Sequence, residues 1–291
     1  MKVLVTGANG QLGHDVTDRL KKQGHTPITT DIAGDVDHLI DITSSSCIEK
    51  IVAIAPDAII HCAAWTAVDA AEDEENKPKV YAVNVTGTQN IAEAARQLDC
   101  KLLYLSTDYV FDGQGERPWE PDDKSYAPLC YYGQTKLEGE LAVCELKKFF
   151  IVRIAWVFGL HGNNFVRTML KVAKSHEEVR VVNDQIGTPT YTFDLARLLV
   201  DMIETEKYGY YHATNEGGYI SWYDFCKEIF RQAGVDIKVT PVTTAEYGLS
   251  KAVRPFNSRL DKHKLIENGF TPLPDYKDAL TRYLKEMNDG E

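Results

Sequence analysis

The sequence predicts an α/β protein, a Rossmann-type doubly wound parallel sheet with a smaller mixed α/β C-terminal substrate lobe. Three observations carry that expectation. Short β-branched runs alternate with longer helical patterns through the first half. A glycine-rich turn directly follows the first of those runs and opens a helix. After about residue 157 the alternation loses its regularity, and Pro189, Pro241, Pro255, Pro272 and Pro274 punctuate the chain.

In chain order, the strand patterns of the first half fall at 3–6, 27–30, 58–61, 102–106 and 150–154. Helical spacing of apolar residues runs over 10–23, 47–55, 78–97 and 132–147. Strands separated by helices of this length need crossover connections, so they pair in parallel with helices on both faces. The polar, Pro- and Gly-rich stretch 112–129 reads as a long surface loop, and loops of that length are uncommon unless they are functional. The second half has helical patterns at 163–174, 193–205, 221–234 and 276–287, with strand patterns at 179–182 and 210–214. The expected division is a dinucleotide-binding domain over 1–156 and a second lobe over 157–291, the chain crossing between them near 180–215.

Composition removes several classes of function. The 291 residues carry 32 Lys and Arg against 43 Asp and Glu, a formal charge of −11. That balance opposes binding to nucleic acid or to an anionic membrane. No apolar run approaches the roughly 18 residues that span a bilayer. Lys2 leads straight into a strand-like stretch, so no signal-peptide hydrophobic region is expected. The six cysteines form no C-x-x-C pair and keep no zinc spacing, which suits a cytoplasmic chain with reduced thiols. The eight histidines form no ligand set, and no catalytic metal is expected.

The glycine turn is Gly7-Ala-Asn-Gly10-Gln-Leu-Gly13. Glycines at this spacing permit a tight turn, bring backbone close to a pyrophosphate and let the helix pack against the sheet. The amides of Gly10, Gln11 and Leu12 then offer partial positive charge to phosphates. Asp31 ends the second strand pattern, where a carboxylate accepts hydrogen bonds from ribose hydroxyls and favours NAD; a solvated strand-end acid is the alternative. Asp41, Ile42, Ala63 and Ala64 fall in later turns that would flank the adenine and the phosphates.

Tyr132 and Lys136 share one helix face at i, i+4. An ammonium there would lower the Tyr132 pKa toward neutrality and hold a nicotinamide ribose, leaving the phenol as the proton donor to a carbonyl. The spacing occurs again at Tyr223/Lys227 and Tyr247/Lys251. Only Tyr132 lies in the alternating half, downstream of a strand ending in Ser106-Thr107, whose hydroxyl would face the same crevice.

Together these residues resemble the extended short-chain dehydrogenase/reductase superfamily over essentially the whole chain. The resemblance rests on the glycine turn, Ala63-Ala-Trp-Thr-Ala-Val-Asp69, Asn84 and Ser106-Thr-Asp-Tyr-Val-Phe-Asp-Gly113. Tyr132-Gly-Gln-Thr-Lys136, Arg153-Ile-Ala-Trp156 and Asp184-Gln-Ile-Gly-Thr-Pro-Thr190 complete it. Within that superfamily it is similar to reductases of dTDP-4-dehydro-6-deoxy-L-mannose, which implies reduction of the 4-keto group by NADPH or NADH to give dTDP-L-rhamnose. The resemblance implies Thr107, Tyr132 and Lys136 as the catalytic set, with Thr66 and Asn84 added to the cofactor site. For the sugar nucleotide it implies Val68, Asp69, Asp108, Trp156, Asn163, Asp184, Gln185 and Thr190. Trp156 is open to two readings, a core side chain or an aromatic plane for a sugar face.

Dehydratases of the superfamily carry Asp-Glu after the catalytic Thr, whereas Thr107 is followed by Asp108-Tyr109, which leaves reduction. Some relatives dimerise through Mg²⁺ held by a glutamate early in the first helix; Asp15 stands there, so the metal is not carried over. A monomer or homodimer is expected. Two other functions remain open at this stage. One is a non-catalytic dinucleotide-binding subunit, as in methionine adenosyltransferase regulation; the other is a reductase of another nucleotide deoxysugar.

Charge distribution bears on the ligand more than net charge does. Residues 1–156 hold 15 basic and 24 acidic side chains, whereas residues 157–291 hold 17 and 19. Lys251, Arg254, Arg259, Lys262 and Lys264 face a single acid, Asp261, between 251 and 264. Arg254 is the expected partner of the sugar-nucleotide pyrophosphate, with a solvated basic surface as the alternative.

Overall fold

A computed structural model describes residues 1–289. The first half reads β1 (Lys2–Thr6), α1 (Gln11–Lys22), β2 (Thr26–Asp31), β3 (His38–Leu39), α2 (Ser46–Ile54), β4 (Ala58–His61), α3 (Lys77–Tyr81), α4 (Thr88–Leu98), β5 (Lys101–Thr107), α5 (Tyr131–Val143) and β6 (Phe149–Ile154). The second half adds β7 (Val157–Phe158), α6 (Phe165–Ala173), β8 (Glu178–Val182), β9 (Ile186–Gly187), β10 (Thr190–Tyr191), α7 (Thr192–Ile203), β11 (Gly209–His212) and β12 (Asn215–Glu216). It closes with β13 (Ile220–Ser221), α8 (Trp222–Ala233), β14 (Lys238–Val242), α9 (Thr244–Tyr247), α10 (His263–Glu267), β15 (Leu273–Asp275) and α11 (Tyr276–Asp289).

Seven strands form a parallel sheet in the order β11-β6-β5-β4-β1-β2-β3, the doubly wound arrangement that the alternation predicts. Side chains alternate between its faces, as a period of two requires. Val3, Val5, Ile60, Leu103 and Val152 face α1 and α7, while Leu4, Ile59, Leu102 and Ile151 face α2, α4 and α5. Each such buried aliphatic side chain contributes about 1.5–3 kcal/mol relative to exposure. The chain leaves β1 toward β2 and returns on the other side at β4, so the strand order reverses beside β1. A crevice at the carboxyl ends of the strands follows from that reversal.

Three local features depart from the simple alternation. The helix expected over 78–97 contains a π-helical stretch, Ala82–Gly87, which carries Asn84. The strand expected at 210–214 is β11, the edge of the central sheet beside β6, although it follows residue 157. The loop 112–129 is pinned rather than free: Trp119 is buried and stacks on Phe111 with ring centroids 4.5 Å apart.

Residues beyond β6 build a second core on β8, α6, α8 and α11, with Phe158, Tyr191, Phe225, Tyr276 and Tyr283 at its centre. Among the described residues no helix is long and apolar enough to cross a membrane.

Candidate active site

Two cavities meet in the crevice beside β1. The larger, about 410 Å³, runs from the start of α1 to Tyr132 and Trp156, and the smaller, about 350 Å³, lies over the ends of β1 and β2. They share Gly7, Gly10, Cys62 and Ala64, so together they make one elongated cleft.

The glycine turn builds the junction. The Gly10 amide donates to the Gly7 carbonyl at 3.0 Å, and Gly10 caps α1 in an extended conformation. A Cβ on Gly13 would stand 2.1 Å from the Gly7 carbonyl oxygen, so α1 reaches this close to the turn only without a side chain there. Gln11 and Leu12, in the first turn of α1, line the larger cavity. Free first-turn amides and the helix dipole favour an anion at this point. Asp31, Asp41, Ile42 and Ala63 line the smaller cavity with Ala64. Asp31 accepts from the Asn9 amide at 3.0 Å and from its neighbour Ile32 at 2.7 Å, which fixes the carboxylate at the strand end.

At the other end stand the expected chemical groups. Thr107 closes β5, and Tyr132 and Lys136 lie on α5; all three line the larger cavity with Thr66, Val68, Asp108, Trp156 and Asn163. Glu72 accepts from the Tyr131 amide at 2.7 Å and so satisfies a free amide at the N-terminus of α5. The Lys136 ammonium donates to the Leu105 carbonyl at 2.7 Å and lies 4.1 Å from the centroid of the Tyr104 ring. Burial lowers its pKa to about 7, against the opposing pull of Glu140.

Tyr132 differs from expectation. Burial, with the Asp108 charge adding to it, pushes the phenol above its usual range, and Thr107 works against that rise. The expected drop toward neutrality is absent: burial and the Asp108 charge dominate, and the Lys136 ammonium donates to the Leu105 carbonyl rather than to the phenol. A phenol held protonated in this way is a proton donor. Asp108 is itself pushed up to about 6 by burial, opposed by the nearby Ser258 hydroxyl and by the hydrogen bond from Thr107.

Six expected site residues lie outside both cavities. Asn84 is buried behind the wall, where its Oδ1 accepts from the Trp65 amide at 2.8 Å and its Nδ2 donates to Thr135 at 3.1 Å. Asp184 accepts from the Thr244 amide and hydroxyl, and Gln185 donates to that same hydroxyl at 3.0 Å. The Thr190 hydroxyl donates to the Ala155 carbonyl at 2.6 Å. Arg254 donates to Asp69 at 2.7 Å and to the Tyr109 hydroxyl at 3.2 Å. Asp69 also accepts from the Lys251 and Ala252 amides, so this pair ties the 250–254 segment to the cleft wall.

Other residues were not singled out as site residues by sequence reasoning. Tyr109 lines the cavity between Asp108 and Arg254, and its place in the Ser106–Gly113 motif was the available signal. Trp222 stacks on Trp156 with ring centroids 3.8 Å apart, and no spacing in the sequence announces that pair. His161 stacks on His14 at 4.0 Å beside the start of α1.

Comparison with known proteins places this cleft in context. The model of a family described as the RmlD substrate binding domain matches residues 1–289. A dTDP-4-dehydrorhamnose reductase from Aggregatibacter actinomycetemcomitans is 42% identical, over 96% of this chain and 97% of that protein. The crystal structure of a dTDP-4-dehydrorhamnose reductase from Clostridium acetobutylicum superposes with a TM-score of 0.91 at 42% identity, covering 99% of this chain and 100% of the other. One from Bacillus anthracis, solved in complex with NADP, has a TM-score of 0.91 at 41% identity, covering 98% and 99%.

Proposed function

The chain belongs to the RmlD substrate binding domain family, and from that membership and the cleft we propose that it reduces the 4-keto group of dTDP-4-dehydro-6-deoxy-L-mannose with NADPH or NADH, yielding dTDP-L-rhamnose. The carrying observation is that Thr107, Tyr132 and Lys136 converge on the same cleft as the glycine turn. The cleft suits a dinucleotide in shape and in donors. The close contact at Gly13 and the first turn of α1 would receive the pyrophosphate, and Asp31 and Asp41 would face the adenosine ribose. When bound, the nicotinamide supplies the hydride.

The chain's own residues do the rest. Tyr132, kept protonated by burial, gives its phenolic proton to the keto oxygen. Thr107, beside it, turns its hydroxyl proton from Asp108 to that oxygen and polarises the carbonyl. Lys136 holds the nicotinamide ribose and brings positive charge close to the phenolate that remains. Trp156 and Val68 present apolar surface to the deoxysugar.

Residues 1–156 mostly bind the dinucleotide and residues 157–291 mostly the sugar nucleotide in this reading. The later elements α7 and β11 return to the first sheet. Arg254, held by Asp69 at the cleft wall, would neutralise the pyrophosphate of the substrate. The six unpaired cysteines suit a cytoplasmic enzyme, working as a monomer or homodimer.

Tyr132→Phe keeps the ring and removes the transferable proton. Turnover of the keto sugar, followed by NADPH absorbance, is expected to fall by about 10²–10⁴ while NADPH still binds. A fall of less than about tenfold would remove Tyr132 from the role of acid.

A further inference from the structure

Trp156 is held in an unusual conformation. Its φ is 52°, in the left-handed region that bulky residues rarely adopt. Its carbonyl accepts from the Thr190 amide at 3.1 Å, while the Thr190 hydroxyl takes the preceding carbonyl, Ala155. Gly187 lies against the indole so closely that a Cβ there would stand 2.9 Å from Trp156 Cε2. The last restraint is Trp222, whose ring stacks on the indole at 3.8 Å with an interplanar angle of 16°.

Trp222 is itself well anchored. It opens α8 directly after Ser221, whose hydroxyl accepts from the Asp224 amide at 3.0 Å in a reciprocal cap. The residue before that cap, Ile220, pairs antiparallel with Gly187, so the elements carrying Trp222 and Gly187 are joined. Phe165 packs against Trp222 with ring centroids 4.6 Å apart. Trp156 lines the larger cavity, whereas Trp222 is absent from its wall. A stacked indole keeps its plane fixed while presenting its remaining surface to the cavity. The C–H face and methyl group of a 6-deoxyhexose are the part of the substrate that gains from such a fixed apolar plane.

We propose that Trp222 is a positioning residue for sugar recognition, acting through Trp156. The proposal rests on the reading of Trp156 as the platform for the deoxysugar. Trp222 touches no substrate atom. It holds the platform ring in place, so its loss weakens recognition of the sugar and leaves recognition of the nucleotide intact.

Calorimetric titration with dTDP and with dTDP-L-rhamnose separates these terms. Trp222→Leu is expected to weaken dTDP-L-rhamnose by about fivefold and to leave dTDP unchanged. Trp222→Phe, which keeps a ring, restores the sugar affinity to within about twofold. KM for the keto sugar follows the same order, with KM for NADPH constant. Trp156→Leu weakens dTDP-L-rhamnose as well. If Trp156→Leu weakens it while Trp222→Leu does not, the role of Trp222 is overturned and the platform reading stands. If Trp156→Leu binds dTDP-L-rhamnose like the unsubstituted protein, both fall together. A measurement on the unsubstituted protein needs no variant to fold: two indoles held in a fixed stack give an exciton couplet in circular dichroism, which should be present in the free protein and keep its sign and shape when dTDP-L-rhamnose binds. A couplet that is absent, or that the sugar abolishes, overturns the proposal.

Discussion

Glu140 and Arg153 form a two-pronged ion pair with neither side chain exposed, Nε to Oε1 at 2.8 Å and Nη2 to Oε2 at 2.7 Å. Glu140 lies one turn beyond Lys136 on α5, and Arg153 lies on β6. Arg153 also donates to the Pro121 carbonyl and to the Tyr126 hydroxyl. One guanidinium therefore ties the helix bearing Tyr132 and Lys136, the central sheet and the loop 112–129. Glu140→Gln leaves that buried cation without its counter-charge, and a loss of about 3–5 kcal/mol in urea unfolding is expected. Glu140→Leu with Arg153→Met removes both charges and should recover most of the loss. A loss under about 1 kcal/mol in the single variant would rank this pair with exposed ones.

Asp108 sets a pH dependence whose sign is fixed by its position. Its Oδ1 accepts from Thr107 at 3.0 Å, while its Oδ2 has no partner among the described residues. Burial raises its pKa from 3.8 to about 6. Between those values the native chain holds a proton that the unfolded chain has released, so stability falls as pH rises through the window. At pH 7 the ionised native group costs about 3 kcal/mol by linkage. Asp108→Asn is therefore expected to be more stable than the unsubstituted protein by about 1–3 kcal/mol at pH 7, with no gain below about pH 4. The Asp108 charge also helps hold the Tyr132 phenol up. Removing it should move the alkaline limb of kcat/KM to lower pH. A gain that persists in acid would show that packing, and not ionisation, is responsible.

Legibility in the sequence followed the range of the interaction. The glycine turn, the strand runs and the Tyr132/Lys136 spacing are local patterns, and the structure builds each on the element expected of it. Arg254 and Asp69 are 185 residues apart, and nothing periodic signals that they will meet. The segment Asp184–Thr190 is legible as a motif but not in its task. Asp184 and Gln185 fasten to Thr244, Gly187 makes room for Trp156, and Thr190 fastens its backbone. Asn84 is likewise legible as a motif residue, while the π-helical stretch that turns it toward Trp65 and Thr135 leaves no trace in apolar spacing. Placement of β11 beside β6 depends on where the chain returns after α7, which is a property of the whole sheet.

Asp31 is expected to govern the balance between the two cofactors if the adenosine ribose lies in the smaller cavity, as proposed. The residues lining the adenosine end include Asp31 and Asp41, and no Lys or Arg is among them. A carboxylate there accepts from the ribose hydroxyls of NADH and repels the additional phosphate of NADPH. Asp31→Asn keeps an acceptor for the Asn9 amide and removes the charge. The ratio of kcat/KM for NADPH to that for NADH is expected to rise by about tenfold, equivalent to about 1.4 kcal/mol. An unchanged ratio would show that neither cofactor brings its ribose to this carboxylate.

Gly187 tests whether the wall around Trp156 is as tight as its geometry indicates. A Cβ at this position would meet Trp156 Cε2 at 2.9 Å, Ser258 Cβ at 3.0 Å and Trp156 Cζ2 at 3.1 Å. Two of those three atoms belong to the benzo ring fused to the pyrrole ring of the indole, and a phenyl side chain has one ring where the indole has two. Gly187→Ala should therefore cost about 1–3 kcal/mol of stability as an overpacked site. It should also raise KM for the nucleotide sugar, because the indole can relieve the clash only by moving relative to the cavity. KM for NADPH should not change, since the adenosine end does not include this residue. Combining Gly187→Ala with Trp156→Phe removes the clashing atoms. The two substitutions should then cost less together than the sum of their separate effects, by about 1 kcal/mol in a double-mutant cycle of unfolding free energies. Strict additivity would mean that the indole has room to move and that the contact with Gly187 does not constrain it.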